Sequence, residues 1–129
     1  MFQLTAIYLT SAILGIMFFF SFVVAPVTFT TLNEENARKF IRKIFPYYYN
    51  VNLGISILVT LIFVFIGTFH LDFFLILLVA LLFALSNYVL MPLINKYRDN
   101  NQDKKFKLSH FISVVINFLQ MVFLIIILI

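Results

Sequence analysis

Polar and apolar positions in this chain are separated into blocks rather than alternated. An apolar stretch runs from about Leu4 to Thr31, with Pro26 near its end. A strongly polar stretch, Leu32 to Phe45, comes next. Apolar sequence then continues for 49 residues, from Pro46 to Ile94, interrupted only around Thr68-Phe69-His70-Leu71-Asp72. A last apolar stretch runs from about Lys107 to Ile129. As one helix the 49-residue stretch would be roughly 70 Å long, more than twice a bilayer's hydrocarbon thickness. It is therefore read as two helices joined by a tight hairpin at His70. Four spans result, at about 4–31, 46–69, 71–93 and 107–129, within one domain covering 1–129.

The polar stretch has its own period. At about 100° per residue, Ala37, Phe40, Ile41, Ile44 and Phe45 share one helix face, while Glu35, Asn36, Arg38, Lys39, Arg42 and Lys43 take the other. Thr31 or Asn33 can cap its start, with Glu34 and Glu35 in the first turn where the helix dipole favours them. This predicts a short amphipathic helix over 33–45 lying on the membrane surface. Tyr47, Tyr48, Tyr49 and Tyr97 are expected at headgroup depth, where amphipathic rings sit well. No internal repeat is visible.

Composition supports the membrane reading: 64% of residues are hydrophobic and 11% charged, against about a quarter charged in soluble domains. Continuous rather than alternating apolar runs make the spans helices, so the fold class is an all-α four-helix bundle. Val23-Val24-Ala25 looks like a signal-peptidase site, but the apolar stretch is long, lacks a basic region before it and would place Pro26 after the cut. It is read as a retained span. Cysteine is absent, which removes disulfides and thiolate metal sites.

Charge then sets the topology. All nine Lys and Arg fall in two segments. Arg38, Lys39, Arg42 and Lys43 lie between the first two spans; Lys96, Arg98, Lys104, Lys105 and Lys107 lie between the last two. Four spans put both segments on one side, which the positive-inside rule makes cytoplasmic, with both termini outside. A bacterial inner membrane is the expected location. The basic residues need no nucleic acid to explain them, because they are not interleaved with exposed aromatics.

Apart from Asp72 and Lys107 at the ends of their spans, no Asp, Glu, Lys or Arg lies inside a predicted span, which argues against a carboxylate proton relay. What remains is amides, hydroxyls and one imidazole. His110, Ser113, Asn117 and Gln120 fall within an arc of about 80° on the last span. A lone amide in hydrocarbon costs several kcal/mol, so the stripe must face other helices or water. Candidate partners at similar depth are Asn87 and Ser86 in the third span, Asn50 and Asn52 in the second and Ser21 in the first. Pro26 and Pro92 each remove a backbone donor, freeing the carbonyls of Phe22 and Tyr88. Together these imply a polar pocket opening to the cytoplasm. The plain reading is inter-helix hydrogen bonding at roughly 0.6 kcal/mol per bond; a binding or conduction site is the alternative. His110 is the one titratable group on the stripe. His70 reads as a loop residue.

With these residues in hand, the chain resembles the transmembrane protein 205-like family, also called domain of unknown function 4149. The likeness rests on Ser21-Phe22-Val23-Val24-Ala25-Pro26-Val27, Phe29, Thr31-Leu32, Phe45-Pro46 and Tyr48-Tyr49. It continues through Asn87, Pro92, Asn95, Leu108-Ser109-His110, Ser113-Val114 and Asn117. The resemblance implies a four-helix membrane protein and supplies no biochemical activity. More distantly, His110-x-x-Ser113-Val114 is similar to four-helix haem and copper membrane proteins of the copper-resistance D type. Haem held by His70 and His110 within one chain would have to bridge roughly 30 Å; one His from each subunit of a dimer would not. The three interior methionines are too scattered for a copper thioether site, and no metal site or resident cofactor is expected.

Three functions remain. The first is a non-enzymatic membrane scaffold or accessory subunit, partnered by lipid, by copies of itself or by another membrane protein. The second is a small transporter or channel using the polar stripe, and the third a haem or metal protein using His110. No paired acid and base, activated nucleophile or phosphate loop points to an enzyme.

Overall fold

In a computed structural model describing residues 1–129 the chain forms four long helices: α1, Phe2–Thr31; α2, Glu34–Ile66; α3, Leu71–Asp99; and α4, Asp103–Leu128. All four are long and apolar enough to cross a membrane. They pack as a closed ring in which each helix touches its two neighbours in sequence and α4 returns to α1. The core holds Ile13, Met17, Val59, Ile76, Val79, Phe83 and Leu124, all fully buried. The outer surface is apolar too, with Phe22, Phe65, Leu81 and Phe118 exposed, as lipid-facing helices require.

The expected turns form by ordinary means. Asn33 caps α2, its Oδ1 accepting the Asn36 N–H at 2.9 Å. At the hairpin Gly67 takes φ +70°, and the Thr68 N–H closes back to the Phe63 carbonyl at 3.1 Å. The first turn of α3 then starts from His70.

One expected boundary is missing. The amphipathic segment 33–45 is helical, but it runs into the second span without a break, so α2 is a single helix of 33 residues containing Pro46. A proline inside a helix costs about 3 kcal/mol, and packing on both sides offsets it here. Ile44 and Phe45 lie on the core, Ala37 is buried, and Tyr48 and Tyr49 are buried beyond the proline. At 1.5 Å per residue α2 is roughly 50 Å long, so its first turns overshoot the hydrocarbon together with the end of α3.

Ion pairs clamp that overshoot. Arg42 donates to both carboxylate oxygens of Asp99, at 2.6 and 3.2 Å, and to the Asn95 carbonyl at 3.4 Å. Glu34 accepts from Arg98 at 3.0 Å and from Arg38 at 2.8 Å. Lys39 pairs with Glu35, while Lys43, Lys104 and Lys107 form no ion pair. Arg98 and Lys105 also lie over the rings of Phe106 and Tyr97, at 4.8 and 5.7 Å.

The structure also shows a repeat that the residue types conceal. A π turn spans Phe20–Val24 in α1 and another spans Ser86–Leu90 in α3. The Ala25 N–H reaches back to the Phe20 carbonyl, and the Met91 N–H to that of Ser86. Each turn stands directly before a proline-bearing segment, and Pro26 and Pro92 are 66 positions apart. The same 66-residue offset carries buried Thr10, Ile13, Met17, Phe20 and Thr28 onto buried Ile76, Val79, Phe83, Ser86 and Ile94. An offset of 65 carries Tyr48, Asn52, Ser56 and Val59 of α2 onto Ser113, Asn117, Met121 and Leu124 of α4. The bundle is therefore two helical hairpins in the same orientation with matching burial along their lengths.

The clamp makes stability depend on acidity. The Arg42 guanidinium hydrogen-bonded to Asp99 holds that carboxyl below the ordinary value of 3.8. A depressed carboxylate stabilises the fold above its unfolded pKa, and that contribution is lost as pH falls through the lower folded value. Asp99→Asn should thus lower the melting temperature at neutral pH. The gap from wild type should close as the pH drops below about 3.8; thermal melts of the detergent-solubilised protein from pH 7 downward read this directly.

Candidate functional site

The polar residues of the membrane interior do not form one patch. Three of them make a chain across three helices. The Tyr48 hydroxyl donates to Asn117 Oδ1 at 2.9 Å, and Asn117 Nδ2 donates to Ser21 Oγ at 3.1 Å. One amide of α4 is thereby tied to both α1 and α2. Deeper in α4, buried Gln120 donates to the Val79 carbonyl of α3 at 3.1 Å. A second group faces outward between α2 and α3, where Asn50 Oδ1 accepts from Asn87 Nδ2 at 2.9 Å and from the Tyr88 hydroxyl at 3.2 Å.

His110 joins neither group. It is exposed at the rim of the polar arc, its ring stacked on Phe106 at 5.9 Å. Ser113 is buried and turns its hydroxyl back to the His110 carbonyl at 2.7 Å. The side chains of Phe22 and Tyr88, whose carbonyls the prolines were expected to free, are both 65% exposed on the outer surface.

Asn52 is the exception to full pairing. It is fully buried, and its Nδ2 donates to the Tyr48 carbonyl at 2.8 Å, but its Oδ1 has no partner. Its repeat counterpart, Asn117, uses Oδ1 to accept from Tyr48. The residue equivalent to Tyr48 on α4 is Ser113, which is too short to reach and bonds within its own helix.

Of the three consecutive tyrosines, two turn into the bundle. Tyr47 is 68% exposed, as a headgroup ring should be, but Tyr48 and Tyr49 are buried. Tyr48 stacks on Phe20 with centroids 4.3 Å apart, Tyr49 on Phe45 at 5.6 Å, and both meet Phe83 at 6.4 Å. The helical period of α2 holds the missing signal. Continued through Pro46, the face of Ala37, Ile41, Ile44 and Phe45 takes in Tyr48, Asn52, Ser56 and Val59.

A cavity of about 250 Å³ lies at the opposite, hairpin end, and its polar lining is Gln3, Thr10, Thr68, His70 and Asp72. At the basic end an open surface hollow is lined by Gln102, Asp103, Lys104 and Lys105.

A family model described as a domain of unknown function (DUF4149) matches residues 8–103. The chain belongs to this family. The chain is also similar to an uncharacterized protein of Aquifex aeolicus (strain VF5), 33% identical over 114 residues, which cover 87% of this chain and 83% of that one. No solved structure matches. The matched region contains the repeat's two prolines, both π turns and the Tyr48–Asn52 segment, and it ends as α4 begins.

If these bonds hold the helices together, their removal should cost stability in proportion. Tyr48→Phe should lose about 0.6 kcal/mol and Asn117→Leu, which severs two bonds, about 1–2 kcal/mol. His110→Ala, at an exposed position, should stay within about 0.5 kcal/mol of wild type. Unfolding titrations in mixed micelles rank the three, and a His110→Ala loss larger than that of Asn117→Leu would refute the assignment.

Proposed function

We propose that this DUF4149 protein is a non-enzymatic multi-pass membrane protein, a scaffold or accessory subunit that works through its packed body and lipid-facing surface. One observation carries this reading: Ser21, Asn117, Gln120, Asn87 and Asn50 are engaged in helix-to-helix bonds. Groups used to hold a bundle are not free to bind a solute or step it across a membrane. The resemblance of its motifs to transmembrane protein 205-like proteins fits this picture and assigns no activity. His110, exposed and stacked on Phe106, could share a haem or metal only with a second copy. Lipid, further copies of the chain or another membrane protein are the partners such a body would engage.

The orientation follows from the charges. The two basic loops face the cytoplasm and both termini face outward, in a bacterial inner membrane as the Aquifex relative suggests. Because the chain has no cysteine, single substitutions report topology cleanly. Gln102→Cys should label only from the cytoplasmic side and Phe69→Cys only from outside.

A second reading, a small transporter or channel, draws on Asn52 Oδ1 and the two π turns, features that often accompany mobile or functional positions. Sealed proteoliposomes separate the two. The scaffold reading predicts no solute flux above that of empty vesicles, and after gentle extraction an assembly larger than the 15.1 kDa chain. A saturable flux lost in Asn52→Leu would replace it with transport.

A further inference from the structure

The hairpin end of the bundle differs in chemistry from the rest of the molecule. Asp72 is the only charged side chain there, since the other four acids and all nine bases lie in or beside the two basic loops. Glu34, Glu35 and Asp99 each have a cation partner; Asp103, which has none, is exposed. Asp72 is half-buried, has no ion pair, and lines the cavity of about 250 Å³. Thr68 Oγ1, another group in the lining, is buried without a hydrogen-bond partner. Gln3 adds an amide, and Phe63 and Phe73 add aromatic walls.

These features call for a cation that brings its own donors. A carboxylate withdrawn from water without a counter-charge is costly, and an orphan hydroxyl oxygen wants a donor. Aromatic faces attract positive charge as well. No group of three His, Cys, Asp or Glu gathers here, so the donor set of a transition metal is not assembled. The volume lies below the range of drug-sized sites and suits a head of a few heavy atoms. The repeat supplies independent support. In the first hairpin the position of Asp72 is held by Ala6, and that of Thr10 is held in the second by Ile76. The polar cavity is thus an addition to one side of a duplicated frame rather than part of the frame.

We propose that this cavity binds a primary ammonium group, with Asp72 as counter-charge, Thr68 Oγ1 and Gln3 Oε1 as acceptors, and Phe63 and Phe73 as walls. The ammonium is either the ethanolamine head of a bilayer lipid, which reaches the end of a membrane bundle from the side, or a free small amine. The site stands whether or not the scaffold reading does.

The test uses the full chain, delipidated in neutral detergent, as wild type, Asp72→Asn and the control Asp103→Asn. Each is incubated with phosphatidylethanolamine or phosphatidylglycerol and examined by native mass spectrometry. Each is also melted with millimolar ethanolamine. Wild type and Asp103→Asn should retain phosphatidylethanolamine at least tenfold better than Asp72→Asn, with phosphatidylglycerol retained equally by all three. A melting-temperature rise with ethanolamine that Asp72→Asn lacks, without selective lipid retention, assigns the site to a free amine. Identical behaviour of Asp72→Asn and wild type toward both probes overturns the proposal. Should Asp72→Asn not fold, the pair Gln3→Leu and Thr68→Val, which keep the charge, must each weaken the same readout severalfold; no change in either refutes it.

Discussion

A proline inside a membrane span strands a carbonyl where no water can reach it, and this chain places one in each hairpin at the same position. Pro26 and Pro92 are both met by a widened turn just before them, in which an N–H reaches back five residues instead of four. Widening moves the pyrrolidine ring away from the carbonyl it would strike in a regular helix, so each helix continues instead of breaking. It also inserts a residue and rotates the remainder of the helix. Phe20 and Ser86, the first residues of the two π turns, are both buried. In α1 the turn opens with Phe20, which packs on Tyr48 and Phe45; in α3 it opens with a serine. The contrast between an aromatic corner and a polar one starts from these two turns.

Packing among lipid-like helices lacks a strong hydrophobic drive, because lipid tails are as apolar as leucine. Register must then come from shape and from polar pairs. The aromatic cluster supplies shape, joining α1, α2 and α3 through Phe20, Tyr48, Tyr49 and Phe83. Asn117 supplies the polar pair, since one amide cannot meet both Tyr48 and Ser21 in any other register. Its counterpart Asn52 has kept the amide but lost the partner, because Ser113 stands where the symmetry asks for a tyrosine. The two halves thus present equivalent corners, of which only one has its amide fully satisfied.

Some of this was legible in the residues and some was not. Helix number, the His70 hairpin, the Asn33 cap and the separation of charge follow from composition and period, which act locally. The continuity of α2 was obscured by Pro46, a helix breaker on any local rule, whose cost is offset by contacts between distant segments. For the same reason the burial of Tyr48 and Tyr49 was not legible locally: it depends on Phe20 and Phe83, far away in sequence. The repeat was hidden because the two halves share burial rather than residue type, with Thr10 answering to Ile76 and Phe20 to Ser86. On the α4 stripe, Ser113 and Gln120 are buried and Asn117 half-buried while His110 is exposed; the helical period gives a shared face, and one turn at its rim separates lining from surface.

The two ends of the bundle have diverged as far as the two halves. At the basic end, α2 and α3 project together and are bolted by Arg42–Asp99 and Arg98–Glu34. Charges there are plentiful and close to water, and where they pair, the pair constrains position more than it adds stability. At the hairpin end there is a single charged side chain, half-buried and without an ion-pair partner, beside a cavity. Lone charges in such surroundings are poorly tolerated unless something answers them. Asp72 stands in the first turn of α3, where the helix dipole favours an acid but supplies no counter-charge, and the first half of the repeat has alanine at the matching position. A carboxylate kept in this place makes physical sense as one half of an ion pair whose other half arrives from outside the chain.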